Sequence, residues 1–220
     1  MPQCPAINEA SVLQNRIPAA SITKIKTYNV PNSSGLFDKI VDDYQVEGSS
    51  EKYYIAIKNN HYGVFNSKFE TIVPFQYDSV GIDRNGKPQF LQIRQDGRYG
   101  IVLTNGTIAI QPENSRLSSV QTDNGVEYLI VQKDGKTYLR DLNNKEVIKN
   151  GYADIVYDKA GGFIITGDNN LRGYYFMDNN TIEPKYKDIR LVDGTHYLQI
   201  KTSNGKVGYI SSTGNEYFVE

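Results

Sequence analysis

Two histidines, one cysteine and a scatter of Asp-Asn-Gly turns are what this sequence offers toward site chemistry. A zinc centre or a nucleophilic triad needs several such groups at defined spacing. His61 and His196 are the only histidines and Cys4 the only cysteine, so no metal-type Cys/His spacing exists. His61 falls in the turn after its unit's second strand and His196 near the start of the equivalent strand, which predicts opposite ends of that layer. The acidic turns fail as calcium loops. Counting from Asp83, Asn85 fits the third position, but Pro88 stands where glycine is required and Arg94 where a closing Glu belongs. Counting from Asp168, Asn170 and Gly173 fit, whereas Arg172 and Asn179 fail as ligands. Asp42-Asp43 suggests paired glycosidase carboxylates, yet neighbours on a strand point to opposite faces and converge only across a bulge. No GxSxG, Walker loop or HExxH occurs. The sequence therefore predicts no enzyme, no catalytic residue, no cofactor and no metal, and its Asp, Asn and Gly residues read as hairpin turns.

Residues 89–112, QFLQIRQDGRYGIVLTNGTIAIQP, show the element that carries such turns. FLQIRQ and RYGIVLT have the alternation and β-forming residues of strands, and Asp96-Gly97 reverses the chain between them. Asn105-Gly106 delivers TIAIQ as a third strand ended by Pro112, which has no N–H to give a ladder. QYDSVGI, residues 76–82, supplies a fourth. Copies recur: YYIAIK with HYGVFN and FETIVP, LIVQK with KTYLRD, GFIIT with GYYF, and YLQIK with VGYIS. The register marks Gly63, Gly100, Tyr138, Gly173 and Gly208 are separated by 37, 38, 35 and 35 residues. A second series, Phe37-Asp38, Tyr77-Asp78, Leu117-Ser118, Ala153-Asp154 and Lys187-Asp188, keeps similar intervals. One such unit cannot bury its sheet alone, so neighbours must stack.

Composition agrees with thin stacked sheets. Only 39% of the 220 residues are hydrophobic, but 17 Tyr and 8 Phe supply buriable area while keeping polar tips. Tyr99, Tyr138, Tyr174 and Tyr209 on the third strands read as interface packing, and Tyr44 and Tyr157 as exposed rings suited to a sugar or a protein partner. The 24 basic and 25 acidic residues leave a charge of −1, which argues against charge-driven binding to nucleic acid or anionic membrane. No run reaches the roughly 18 to 20 apolar residues of a membrane-spanning helix. Residues 1–21 do not fit the repeat and read as an N-terminal arm or short helix ended near Pro18. They lack a basic, then apolar, leader pattern, which points to a cytoplasmic protein, or to a secreted or cell-surface one if a leader was removed.

The closest copies, QDGRYGIVLTNGTIAIQP and HYGVFNSKFETIVPFQYDSV, resemble the bacterial WG-repeat proteins, with weaker copies over residues 22–218. The Trp of that motif is absent, its place taken by Tyr62, Tyr99, Thr137, Arg172 and Val207. The resemblance implies non-enzymatic modules of surface or interaction proteins, some of them immunity proteins beside bacterial toxins. The expected fold is all-β, with five repeats of about four antiparallel strands over residues 22–220. A five-bladed β-propeller is the favoured arrangement and an open hairpin solenoid the alternative. The strand at residues 22–30 either closes the ring or begins the array. The function expected is a non-catalytic protein-binding module, in its most specific form a bacterial immunity protein that occludes a toxin; the alternative is a carbohydrate or cell-envelope-binding module. Positions departing from the repeat on the edge with the Asp-Gly turns, His61, Arg116, Asp168 and Arg172, are the expected partner contacts.

Overall fold

Turn chemistry fixes the strand lengths. The computed structural model describes residues 28, 30, 35–46, 48–82, 90–159, 161–192 and 195–218. The N-terminal arm, Cys4, the spacing test at Asp83 and most of residues 22–30 lie outside the described residues. Nineteen strands and no helix are found among the described residues, in five antiparallel sheets ordered along the chain. The first sheet holds β1 (Lys39–Gln45), β2 (Lys52–Lys58), β3 (His61–Asn66) and β4 (Thr71–Tyr77). The second holds β5 (Ser79–Ile82), β6 (Phe90–Gln95), β7 (Arg98–Leu103) and β8 (Ile108–Asn114). The third has only β9 (Arg116–Gln121), β10 (Glu127–Lys133) and β11 (Lys136–Asp141). The fourth holds β12 (Asp154–Asp158), β13 (Gly162–Thr166), β14 (Arg172–Phe176) and β15 (Thr181–Tyr186). The fifth holds β16 (Asp188–Leu191), β17 (Tyr197–Lys201), β18 (Val207–Ser211) and β19 (Glu216–Phe218).

The predicted turns are present in two forms. Between second and third strands, Asn59-Asn60, Asp96-Gly97 and Asp134-Gly135 have both central residues at positive φ, the two-residue I′ geometry. Between third and fourth strands, the loop at Asn105-Gly106 differs from the two-residue hairpin expected. Only Gly106 is left-handed (φ 90°), and Leu103 pairs across a three-residue loop with Thr107. Prolines also behave differently from expectation: β4, β8 and β15 run through Pro74, Pro112 and Pro184 rather than ending at them. Each of these strands is the outer edge of its sheet, where a missing N–H removes no ladder bond.

The motif glycine has a steric cause. At Gly100 an added Cβ would lie 2.6 Å from the Ile110 carbonyl oxygen, and at Gly173 2.2 Å from that of Ile182. The edge strand crosses the glycine this closely because the ladder shifts register there, between Tyr99 and Ile101 and between Arg172 and Tyr174. In the third sheet Tyr138 replaces the glycine. No fourth strand forms; two isolated bridges, Thr137 with Tyr152 and Arg140 with Glu146, stand in its place. The Tyr138 ring lies over Gly151, whose missing side chain leaves it room.

Four clusters of buried side chains join consecutive sheets. Val64 and Val73 meet Leu91 and Ile93; Ile101 and Ile110 meet Leu129 and Val131; Leu139 and Ile148 meet Phe163 and Ile165; Tyr174 and Ile182 meet Leu198 and Ile200. On the far side of the first sheet, Phe37, Ile40, Ala56 and Phe65 pack against Tyr28 and Val30. The fifth sheet is four-stranded without help from residues 22–30. Among the described residues no cluster joins it to the first sheet, and the interfaces seen lie between consecutive sheets.

Candidate functional site

Antiparallel order brings every turn between second and third strands, and every link from one sheet to the next, to a single edge of the array. The links are anchored by main-chain bonds at equivalent positions. Main-chain N–H groups of Asp38, Asp78, Ser115, Ala153 and Lys187 donate to the ends of the five second strands, at Ile57, Arg94, Gln132, Thr166 and Lys201. This corrects the sequence alignment: the residues equivalent to Tyr77-Asp78 are Asn114-Ser115, Tyr152-Ala153 and Tyr186-Lys187, not Leu117-Ser118, Ala153-Asp154 and Lys187-Asp188. The first member is buried in every copy, which fixes where the chain turns. In the second, Asp38 accepts the Asn59 N–H at 2.7 Å and Asp78 accepts that of Gly97 at 3.3 Å, tying link to turn.

Charge along this edge is arranged across the sheet boundaries. Lys133 of the third sheet pairs with Glu113 of the second at 2.7 Å, Lys136 of the third pairs with Asp168 beside the fourth, and Arg172 of the fourth pairs with Asp188 of the fifth at 2.6 Å. Two grooves lie between these rows. Asp96, Arg98, Glu113, Lys133 and Asp134 line one of about 560 Å³, and Lys136, Tyr152, Asp168 and Pro184 line the next, about 380 Å³. Deeper between the third and fourth sheets is a cleft of about 270 Å³, with Arg116, Ser118, Gln132, Thr137, Asp154 and Tyr157 on its walls.

The expected contact residues therefore share an edge without converging on a point. His61 opens β3, exposed, its Nδ1 2.9 Å from the Asn59 carbonyl oxygen. Arg116 opens β9 at the mouth of the cleft; Asp168 and Arg172 are held in the ion pairs above. His196 precedes β17 at the opposite end, as predicted. Asp42-Asp43 does sit at a register shift, but Asp43 binds Lys52 at 3.0 Å and Asp42 accepts the Asp43 N–H. Tyr44 and Tyr157, expected to be exposed, are packed: Tyr44 is buried between the first two sheets and Tyr157 lies against Phe163. Tyr209, expected to pack a repeat interface, is exposed, together with Tyr197 and Tyr217. Among the described residues no group of three His, Cys, Asp or Glu side chains could hold a metal ion. What the edge offers is a row of charged donors and acceptors around shallow grooves, the equipment of recognition.

Residues 62–99 match the WG-containing repeat. The matched segment runs from Tyr62 to Tyr99, one full period between two positions of the motif aromatic. The chain thus carries a WG-type repeat with tyrosine at that place. No curated protein matches it. Among solved structures it is similar to Hsv2 of Kluyvelomyces marxianus, at 8% identity and a TM-score of 0.34, covering 80% of this chain and 63% of that one. It is also similar to a eukaryotic initiation factor, at 13% identity and 0.43, covering 82% and 55%. A protein of unknown function from Bacteroides caccae matches at 10% identity and 0.27, covering 76% of each chain. The chain spans less than two thirds of the first two.

Proposed function

We propose that this β-repeat protein is a non-catalytic module that binds another protein along its turn edge, and that it acts in the cytoplasm as an immunity protein, neutralising a toxin by occluding it. The supporting observation is the edge itself. A repeated backbone holds equivalent positions in line, and the side chains that open the third strands vary from copy to copy, His61, Arg98, Lys136 and Arg172, with Arg98 and Lys136 lining the two grooves. Exposed ion pairs such as Lys136–Asp168 and Arg172–Asp188 contribute only about 0 to 1 kcal/mol each, so a partner can take them over at little cost. Affinity would rest on a few arginine and aromatic anchors.

The test is capture from a lysate of the source organism with the tagged chain. One stoichiometric companion, toxic when expressed alone and harmless when co-expressed, is the expected result. Arg116→Ala and His61→Ala should weaken that capture by about tenfold or more while leaving the melting temperature unchanged. Recovery of no protein, with retention on peptidoglycan or polysaccharide, would sink the reading in favour of envelope binding.

A further inference from the structure

One position recurs in all five sheets directly after the motif glycine or its substitute: Val64, Ile101, Leu139, Tyr174 and Tyr209. The first four are 0% exposed, each within the cluster joining its sheet to the next, whereas Tyr209 is 38% exposed. Cross-strand partners repeat the contrast. Val73, Ile110 and Ile182 are buried, while Tyr217, paired with Tyr209, is 50% exposed. The outward face of the fifth sheet is thus the inter-repeat interface of this fold, with no sheet lying on it among the described residues.

Tyr197 and Val207 point to the same side as Tyr209, since each lies an even number of residues from it or from its cross-strand partner Gln199. With Val192, Thr195 and Tyr217, Tyr197 and Tyr209 line a groove of about 350 Å³ that contains no charged side chain. The Thr195 hydroxyl is spent on the Val192 carbonyl oxygen at 2.8 Å. A sugar needs several convergent polar groups and finds few here, whereas an apolar sheet face needs none. Polar groups share this side of the sheet with the groove: Arg190 and Gln199, bonded to each other, lie beside Tyr209, and Lys201 stands opposite Val207, which gives the apolar groove a polar border.

We propose that this face is a homodimer interface that seats the same face of a second copy of the chain. Four equivalent faces in the molecule are covered by sheets of its own kind, so the interface continues one the fold already uses. The receiving face at the other end, on the first sheet, is occupied by Tyr28 and Val30. Head-to-tail growth therefore meets a covered surface, and two-fold apposition of fifth sheets buries both bare faces in a closed pair. Its aromatic centre suits such a contact. The interface is separate from the turn edge, so dimerisation and partner capture can fail independently.

Sedimentation velocity on the 220-residue chain at micromolar concentration decides it. The expected mass is twice the 24.8 kDa of one chain. Tyr209→Lys charges the centre of this face, where the covered faces carry an apolar or aromatic residue, and Tyr217→Lys charges its half-exposed cross-strand partner; each should return the chain to 24.8 kDa with its melting temperature retained. A wild-type chain that sediments as a monomer, whether its face stays bare or is covered by its own N-terminal region, overturns the proposal. So does a dimer that survives both substitutions.

Discussion

The phenol of Tyr44 is buried against the second sheet, stacked on Tyr53 with ring centroids 5.1 Å apart, and its hydroxyl has no hydrogen-bond partner. Burial raises its pKa well above the ordinary tyrosine value, followed by the influence of Tyr53. An unpartnered buried hydroxyl costs about 1 to 3 kcal/mol of desolvation. Tyr44→Phe should therefore raise stability by roughly 1 kcal/mol, read as a higher denaturant midpoint at unchanged slope; a lower midpoint would show that the hydroxyl has a use in the folded state. The alternation of β1 did not announce this burial, because a register shift between Ile40 and Asp42 reverses which side chains face the core. Asp78 was legible as a recurring Tyr-Asp mark, but its bond to the Gly97 N–H was not, since that contact spans 19 residues.

At the scale of the strand, glycine and a terminal carboxylate do the work that side-chain burial cannot. Gly100→Ala must displace the backbone of β8, and overpacking of this kind costs about 3 kcal/mol. Thermal unfolding should fall accordingly, and a midpoint within experimental error of the native one would refute the close crossing. At the other end of the chain, β19 is tied to the fourth sheet through Glu216, which accepts from Lys185 Nζ at 2.7 Å and from the Tyr186 hydroxyl at 2.6 Å. These two donors, Lys185 first, hold the Glu216 carboxyl below its usual value of 4.5, while burial and that same bond push Tyr186 up to about 12. A carboxylate whose pKa is lowered by folding stabilises the fold above its unfolded value and loses that contribution as pH falls through the folded value. Glu216→Gln should hence be less stable than the native chain at neutral pH, with the difference closing below pH 4.5. A pH-independent difference would assign the loss to packing. Strands and turns were legible because Asp-Gly and Asn-Gly have few other conformations to adopt. The missing strand after β11 was not, although Tyr138 at a glycine position was its visible sign.

At the scale of the whole molecule, the buried clusters between sheets among the described residues each join one sheet to the next, so stability is built as a chain of local terms rather than one shared core. Five repeats could be counted in the sequence because the same local pattern recurs, but local pattern is blind to neighbours: Tyr174 and Tyr209 follow the same glycine, and only the first has a sheet upon it. The third sheet is the weak joint, being three-stranded with β11 at its edge. Leu139, fully buried on that edge strand, links it to Phe163 and Ile165 of the fourth sheet. Leu139→Ala removes about 2 to 5 kcal/mol from this single boundary. In a core shared by all sheets the loss would lower one transition for every strand. In a linear stack it should instead uncouple the first three sheets from the last two, so that hydrogen exchange of β13, β14, β17 and β18 accelerates at a denaturant concentration where β2, β3, β6 and β7 remain protected. Simultaneous loss of protection on both sides of the boundary would show that a further contact, such as closure between the fifth and first sheets, carries coupling around the molecule.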